Sequence, residues 1–269
     1  MRVNAASGGR PLRSLSWGGL IAAWLLGTTP ALAATCSASS PAHTVALVEL
    51  YTSEGCSSCP PADRWLSSLR AGGFRADQVI PLALHVDYWN HLGWPDRFSQ
   101  KQFSARQREL AGLNHLSFVY TPQVTLQRRD FRGWGSAAGF AEAVRAVNQR
   151  PARADLTLSL SPGAPGALAV ALNGTANDPG AQVFIALYEN RLSTRVPAGE
   201  NAGRTLNHDH VVRVWRGPFQ VGGDGRIALD QVVPLDAEWK PAQLGAAAFV
   251  QDPRSGDVLQ AIALPACPG

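Results

Sequence analysis

Residues 51–65 read "YTSEGCSSCPPADRW", two cysteines two residues apart, directly after an apolar run and directly before two prolines. The run "VALVELY" (45–51) is apolar and β-prone, a strand buried on both faces. After the prolines, Ala62, Trp65, Leu66 and Leu69 recur at helical spacing, and Gly72-Gly73 stop the pattern. Pro60 and Pro61 suit a first helical turn, whose N–H groups have no intrahelical acceptor. The stretch therefore predicts strand, CxxC, helix. That order puts Cys56 at a helix N-terminus, where the dipole favours a thiolate, with Cys59 placed to close a disulfide onto it.

Working outward, "VIPLALHVDYW" (79–89) predicts a second buried strand and hence a parallel βαβ unit. Phe98–Leu113 predicts a helix, 119–127 a strand entered through Thr121-Pro122, and Ser136 the cap of a helix running to about Asn148. Beyond Arg150-Pro151 the pattern changes to short strands: 156–160, 168–172, 183–188, 210–215, 246–250 and 258–264. Pro/Gly/Asn/Asp clusters separate them. This predicts an antiparallel sandwich-like all-β domain over 151–269, after a CxxC domain over 34–150.

The first 33 residues read as an export signal: Arg2, Arg10 and Arg13, an apolar stretch from Trp17 to Leu26, and Ala31-Leu32-Ala33 before the cut. The apolar run is short for a bilayer span, so no membrane span is expected after cleavage, and a periplasmic or secreted location follows. Removing three arginines from 24 basic residues leaves 21 against 20 acidic ones, a net +1. No basic stripe remains to bind nucleic acid. Export also means an oxidising compartment. Cys36 and Cys267 stand almost at the two mature ends, and chain ends are often close in space, so a structural Cys36–Cys267 disulfide is expected. Closing so long a loop stabilises by roughly 5 kcal/mol at most.

A CxxC is also half a zinc site, but no second CxxC exists, and redox chemistry at the pair needs no cofactor. His85 could join Cys56 and Cys59 on a soft metal such as Cu(I), against the blander reading of a buried, satisfied histidine. Thr121-Pro122 could be cis and expose backbone beside the CxxC to an extended substrate, or could be an ordinary trans proline at a strand's start. Tyr88, Trp89 and Trp94 could line a substrate groove or plug their own loop. Glu54 reads as a solvated loop charge. His208 and His210, two apart in "ENAGRTLNHDH" (200–210), would share a strand face, either as part of a metal site or as an exposed connection. The loop could instead pack against the CxxC half, with Arg204 pairing an acid there.

The segments "VELYTSEGCSSCPPAD", "HVDYWNHLGWPDRFS", "YTPQV" and "GENAGRTLNHDHVV" resemble an uncharacterised family of bacterial secreted thioredoxin-like proteins, catalogued as a domain of unknown function. The resemblance covers about Val45 to Leu264. It implies an α/β thioredoxin-like domain ahead of the all-β one. It also implies Cys56 as attacking thiol, Cys59 as resolving thiol and Pro122 as a cis-proline after Thr121, as in some periplasmic disulfide-isomerase relatives. Glu49 lies near the position of the buried acid of that fold, one residue out of step, either as a proton acceptor for Cys59 or facing elsewhere. Ser57-Ser58 stand where thioredoxin has Gly-Pro. The implied activity is thiol–disulfide oxidoreduction on a protein thiol or disulfide, with a separate redox partner. The alternatives are a Cu(I)-binding protein, or a non-enzymatic envelope binding or assembly module with structural disulfides.

Overall fold

The computed structural model describes residues 1, 4, 8, 9, 35–265 and 267. Apart from residues 1, 4, 8 and 9, the expected export signal and its cleavage site lie outside these. Ala33–Gly269 form one compact unit.

The chain runs β1 (Cys36–Ser39), β2 (Ala46–Thr52), α1 (Pro60–Ser68), β3 (Val79–His85), α2 (Lys101–Leu113), β4 (Gln123–Leu126), β5 (Arg129–Asp130) and α3 (Ala137–Asn148). It continues as β6 (Ala154–Pro162), β7 (Ala167–Ala176), β8 (Gln182–Glu189), β9 (Leu192–Arg195), β10 (Thr205–His208), β11 (Val211–Gln220), β12 (Arg226–Pro234), β13 (Leu244–Gln251) and β14 (Val258–Pro265). Both prolines open α1. The Ser136 hydroxyl caps α3 by accepting from the Gly139 N–H, which satisfies one of the donors every helix start leaves free. Among the described residues no helix is long and apolar enough to cross a membrane.

The expected division into an α/β thioredoxin-like domain and a separate all-β domain is not what forms. Strand accounts for 41% and helix for 19% of the structure, with three α-helices. The strands from both sides of residue 150 share one mixed sheet of eight, in the order β14-β13-β8-β11-β3-β2-β4-β5. The seam is the parallel contact of β11 with β3, where Val211 stands beside Ala83 and the Ala83 N–H donates to the His210 carbonyl. On one side β2 lies parallel to β3 and antiparallel to β4; on the other β8, β13 and β14 are all antiparallel. A second sheet, β1-β6-β7-β12, packs on the β8-β13-β14 end.

Three apolar layers result. Leu156, Leu158 and Leu172 of the small sheet meet Val183, Ile185, Ala248 and Ile262 of the large one. Across the large sheet, Leu47, Leu82 and Phe103 from the first half share a core with Phe184, Trp215 and Phe249 from the second. The third layer sets α1 and α3 against Ala46, Val48, Leu50 and Val124. Because side chains alternate along a strand, β2 sends its even-numbered residues toward α1 and its odd-numbered ones toward α2.

Glu49 is one of those odd-numbered residues. Its carboxylate accepts from Arg106 Nε of α2 at 2.6 Å, and both side chains are buried. Arg106 also donates to Gln251 of β13 and lies over the rings of Trp215, Phe184 and Phe249, 4.7–5.2 Å from their centroids. Burial lowers the Arg106 pKa, but Glu49, Tyr51 and Glu109 together raise it by more, so the guanidinium stays charged. Glu49 therefore serves the joint between the two halves, on the face of the sheet away from α1, and not Cys59.

The Cys36–Cys267 disulfide forms, with Cα atoms 5.6 Å apart.

Removing one partner of a buried ion pair strands the other. Arg106→Ala should cost about 3–5 kcal/mol in urea denaturation. Arg106→Leu combined with Glu49→Leu should cost clearly less than the two single changes together, since no unpaired charge remains.

Candidate functional site

β2 and β3 run parallel, so the loops leaving Thr52 and His85 emerge at one edge of the sheet. The first carries the CxxC. Cys56 N–H donates to Ser53 O and Cys59 N–H to Cys56 O, two successive turns that deliver the chain into α1. Cys59 is the N-cap of α1 and Cys56 lies one turn before it, so the helix start belongs to Cys59. The two are disulfide-bonded, with Cα atoms 5.5 Å apart. Neither cysteine has any solvent exposure.

The second loop packs on the first. A Cβ at Gly55 would come 3.1 Å from the Trp89 Cβ, so the two loops meet closely there and a larger residue would have to push the second loop back. Trp89 Nε1 donates to the Thr121 hydroxyl, the Tyr88 hydroxyl to Gln107 Oε1, and Trp94 Nε1 to Glu54 Oε2. Their polar tips are thus engaged within the protein, and the three rings are half-buried. The Thr121–Pro122 bond is cis. The pairing of Gln123 with Tyr51 sets Pro122 one residue further, at the end of β2 from which the CxxC loop departs.

Between these loops and α1 lies a buried group of ionisable side chains that the sequence reading scattered. Glu54 is no solvated charge: it is fully buried, with Oε1 3.3 Å from His208 Nε2, within ion-pair reach but without hydrogen-bond alignment. His208 Nδ1 faces Asp63 Oδ2 at 3.9 Å. Asp63 lies one turn after Cys59 on the same face of α1. His85 Nδ1 is 2.7 Å from Asp96 Oδ2, and the His85 and His208 rings meet edge to face at 5.1 Å. Burial pulls the His85 pKa down, but Asp96, Asp63 and Glu54 together lift it by more. Burial pushes the Asp96 carboxyl up, but His85 and the N–H groups of Glu54 and Phe98 together hold it below the usual carboxylate range. Burial pushes the Asp63 pKa up, and the neighbouring His208 and His85 with the hydrogen bond to Thr52 only partly offset it.

The sulfurs are bonded to each other, and His85 is bonded through Nδ1 to Asp96 while its Nε2 has no hydrogen-bond partner among the described residues. Among the described residues no group of three His, Cys, Asp or Glu side chains is arranged to hold a metal ion. His208 and His210 do not share a face. His208 ends β10 inside the cluster, whereas His210 turns through a positive φ of 58° and lies against Tyr188. Arg204 donates to Asn201 Oδ1 and meets no acid of the first half.

The 200–210 loop does pack on the CxxC half, but through residues other than Arg204. Asn201, fully buried, donates through Nδ2 to the carbonyls of Glu54 and Cys56, and Glu200 Oε2 accepts from the Ser57 N–H. This segment lies over the disulfide. The polar character of "ENAGRTLNHDH" was its sole trace in the sequence.

A model of the family described as "protein of unknown function (DUF1223)" matches residues 47–251. Among solved structures, an Agrobacterium tumefaciens protein determined by X-ray crystallography is similar at 26% identity and a TM-score of 0.61, over 86% of this chain and 98% of that one. HBP35 of Porphyromonas gingivalis is similar in fold at 16% identity and a TM-score of 0.64, over 86% of this chain and 79% of that one. No curated protein matches.

The buried Asp63 carries a pH signature. Its folded-state pKa lies above the unfolded one, so the stability linked to it is full below the ordinary Asp range near pH 4 and falls as pH rises through the folded value. Asp63→Asn removes that loss. Thermal melts should show the variant more stable than the parent at pH 7 and no different at pH 3.

Proposed function

The chain belongs to that family of unknown function, DUF1223, and we propose that it is a non-enzymatic binding or assembly module of the bacterial envelope, with both disulfides structural. One observation carries the reading: the Cys56 and Cys59 side chains have zero exposure, sealed beneath Asn201 and Glu200. A redox centre in open exchange presents its attacking sulfur to solvent. In an oxidising compartment, a buried disulfide braces the loop from which α1 starts.

The recognition face in this reading is the cleft of Phe118, Tyr120, Arg132 and Trp134, about 340 Å³ in volume. Phe118 is 62% exposed, a large aromatic left in solvent. Its ring lies 6.1 Å from that of Tyr120, and Arg132 sits over the other ring at 5.5 Å. Aromatic residues and arginine are the types enriched where proteins meet. Asp130 fixes the pair by accepting from the Tyr120 hydroxyl and from Arg132 Nε. The occupant in this reading is a protein partner in the same compartment.

A second reading, thiol–disulfide exchange, is favoured by the place of Cys59 as N-cap of α1. A substrate thiolate would attack Cys56 Sγ, the S–S bond would break, and Cys59 would leave as a thiolate at the positive end of the helix. A second substrate thiol would then release Cys56, leaving the substrate oxidised and the pair reduced.

The two readings part on the potential of the Cys56–Cys59 couple. The structural reading expects a value below about −300 mV, no insulin reduction, and a loss of about 2 kcal/mol in the Cys56→Ser/Cys59→Ser variant. A potential in the oxidoreductase range with turnover that vanishes in that variant would replace it with the second. For the cleft, a photo-crosslinking residue at position 118 should give one discrete protein adduct in the envelope, abolished by Arg132→Ala with Trp134→Ala. A diffuse smear unaffected by those changes would remove the cleft as the recognition face.

A further inference from the structure

β9 and β10 pair only with one another, in a sheet of two that makes no ladder bonds to the sheet of eight. Their connecting segment, 196–204, reaches across the CxxC loop. Of its nine residues only Val196 and Asn201 are buried. It is tied to itself by Val196 N–H to Arg204 O and Gly203 N–H to Val196 O. Its hold on the CxxC is polar: the two bonds from Asn201 to Glu54 and Cys56, and the one from Ser57 to Glu200. Gly199 and Gly203 have φ of 76° and 81°, a conformation glycine adopts without strain. A segment with few buried apolar contacts and a polar latch belongs to the low end of the local-stability range.

We propose that segment 196–204 is a hinged cover over the Cys56–Cys59 disulfide, latched by Asn201, and that its opening exposes the sulfurs to a thiol-bearing partner. This goes beyond the binding-module reading, because it concerns when the disulfide can be reached and not whether the protein turns over a substrate. The closed cover explains how a CxxC at the start of a helix shows no exposed sulfur. The seat beneath it is specific. Two carbonyls accept and one N–H donates, all from the CxxC loop itself, so the latch reports directly on that loop. The pivot is the base of the hairpin, where Arg191 N–H donates to Asp209 and His210 N–H to Asn190. These bonds can stay closed while the tip lifts.

The test is the rate at which dithiothreitol reduces Cys56–Cys59 in the full exported chain, with Cys36–Cys267 as reference in the same molecule. One reagent thiolate attacks a protein sulfur and the S–S bond breaks. The reagent's second thiol then closes its own ring disulfide and leaves both protein sulfurs as thiols. Maleimide capping and peptide mass analysis read each pair separately. Asn201→Ala removes two buried hydrogen bonds and should speed reduction of Cys56–Cys59 by about tenfold or more, leaving the Cys36–Cys267 rate unchanged. Glu200→Gln, an exposed and milder change, should speed it by a smaller factor and serves if Asn201→Ala does not fold. Parental rates in the folded variants would overturn the cover, as would equal acceleration of both disulfides, which marks general loosening. The outcome is independent of insulin turnover and of the couple's potential, so the cover and the structural-disulfide reading can fail separately.

Discussion

The ion pair of Arg106 with Glu49 is the constraint on which the two halves of this protein depend. Arg106 comes from α2, Glu49 from β2, and the rings around the guanidinium come from β8, β11 and β13. A charged group buried among aromatic faces is tolerable only if each neighbour is in place, because a misplaced one leaves an ion without compensation. The pair therefore ties the packing of α2 to the assembly of strands far away in sequence. It makes the large sheet one cooperative object instead of two adjoining ones.

The same joining places the candidate site. Glu54, Asp63, His85 and Asp96 come from the first half, yet the cluster lacks its central ring until His208 arrives from β10. The cover over the disulfide, too, is built from the second half. A CxxC half taken alone would expose its sulfurs and its buried acids to water. The shape of the site is a product of the whole chain, which is why the polar 200–210 loop matters more than its position in a β-rich half suggests.

The local elements were legible. The spacing of Ala62, Leu66 and Leu69 placed α1, Ser136 placed the start of α3, and the two end cysteines announced their bond. What escaped was the join. β6 alternates between buried and exposed as a strand of a two-layered sandwich should. β13 is buried at every position and β8 nearly so, the mark of central strands covered on both faces. Read as short alternating runs, "VFIALY" and "AAAFV" suggest a separate sandwich. Read as continuous apolar runs, they belong in the middle of a large sheet. The one-residue offset of Glu49, visible in the sequence, decided its place. One step along a strand reverses the face, so its nearness to the CxxC in sequence put it on the far side of the sheet in space. Asn201 and His208 carried no local pattern that a periodicity could find, because what they contact is set by tertiary folding alone.

The Cys36–Cys267 bond turns the backbone between those residues into a covalent ring. A ring survives a single cut. Cleavage in an exposed turn, such as that between β6 and β7, would leave one molecule whose new ends lie side by side and whose sheets stay paired. The closure also waits for Cys267, so this bond can form only after all of the sequence between the two cysteines has been made.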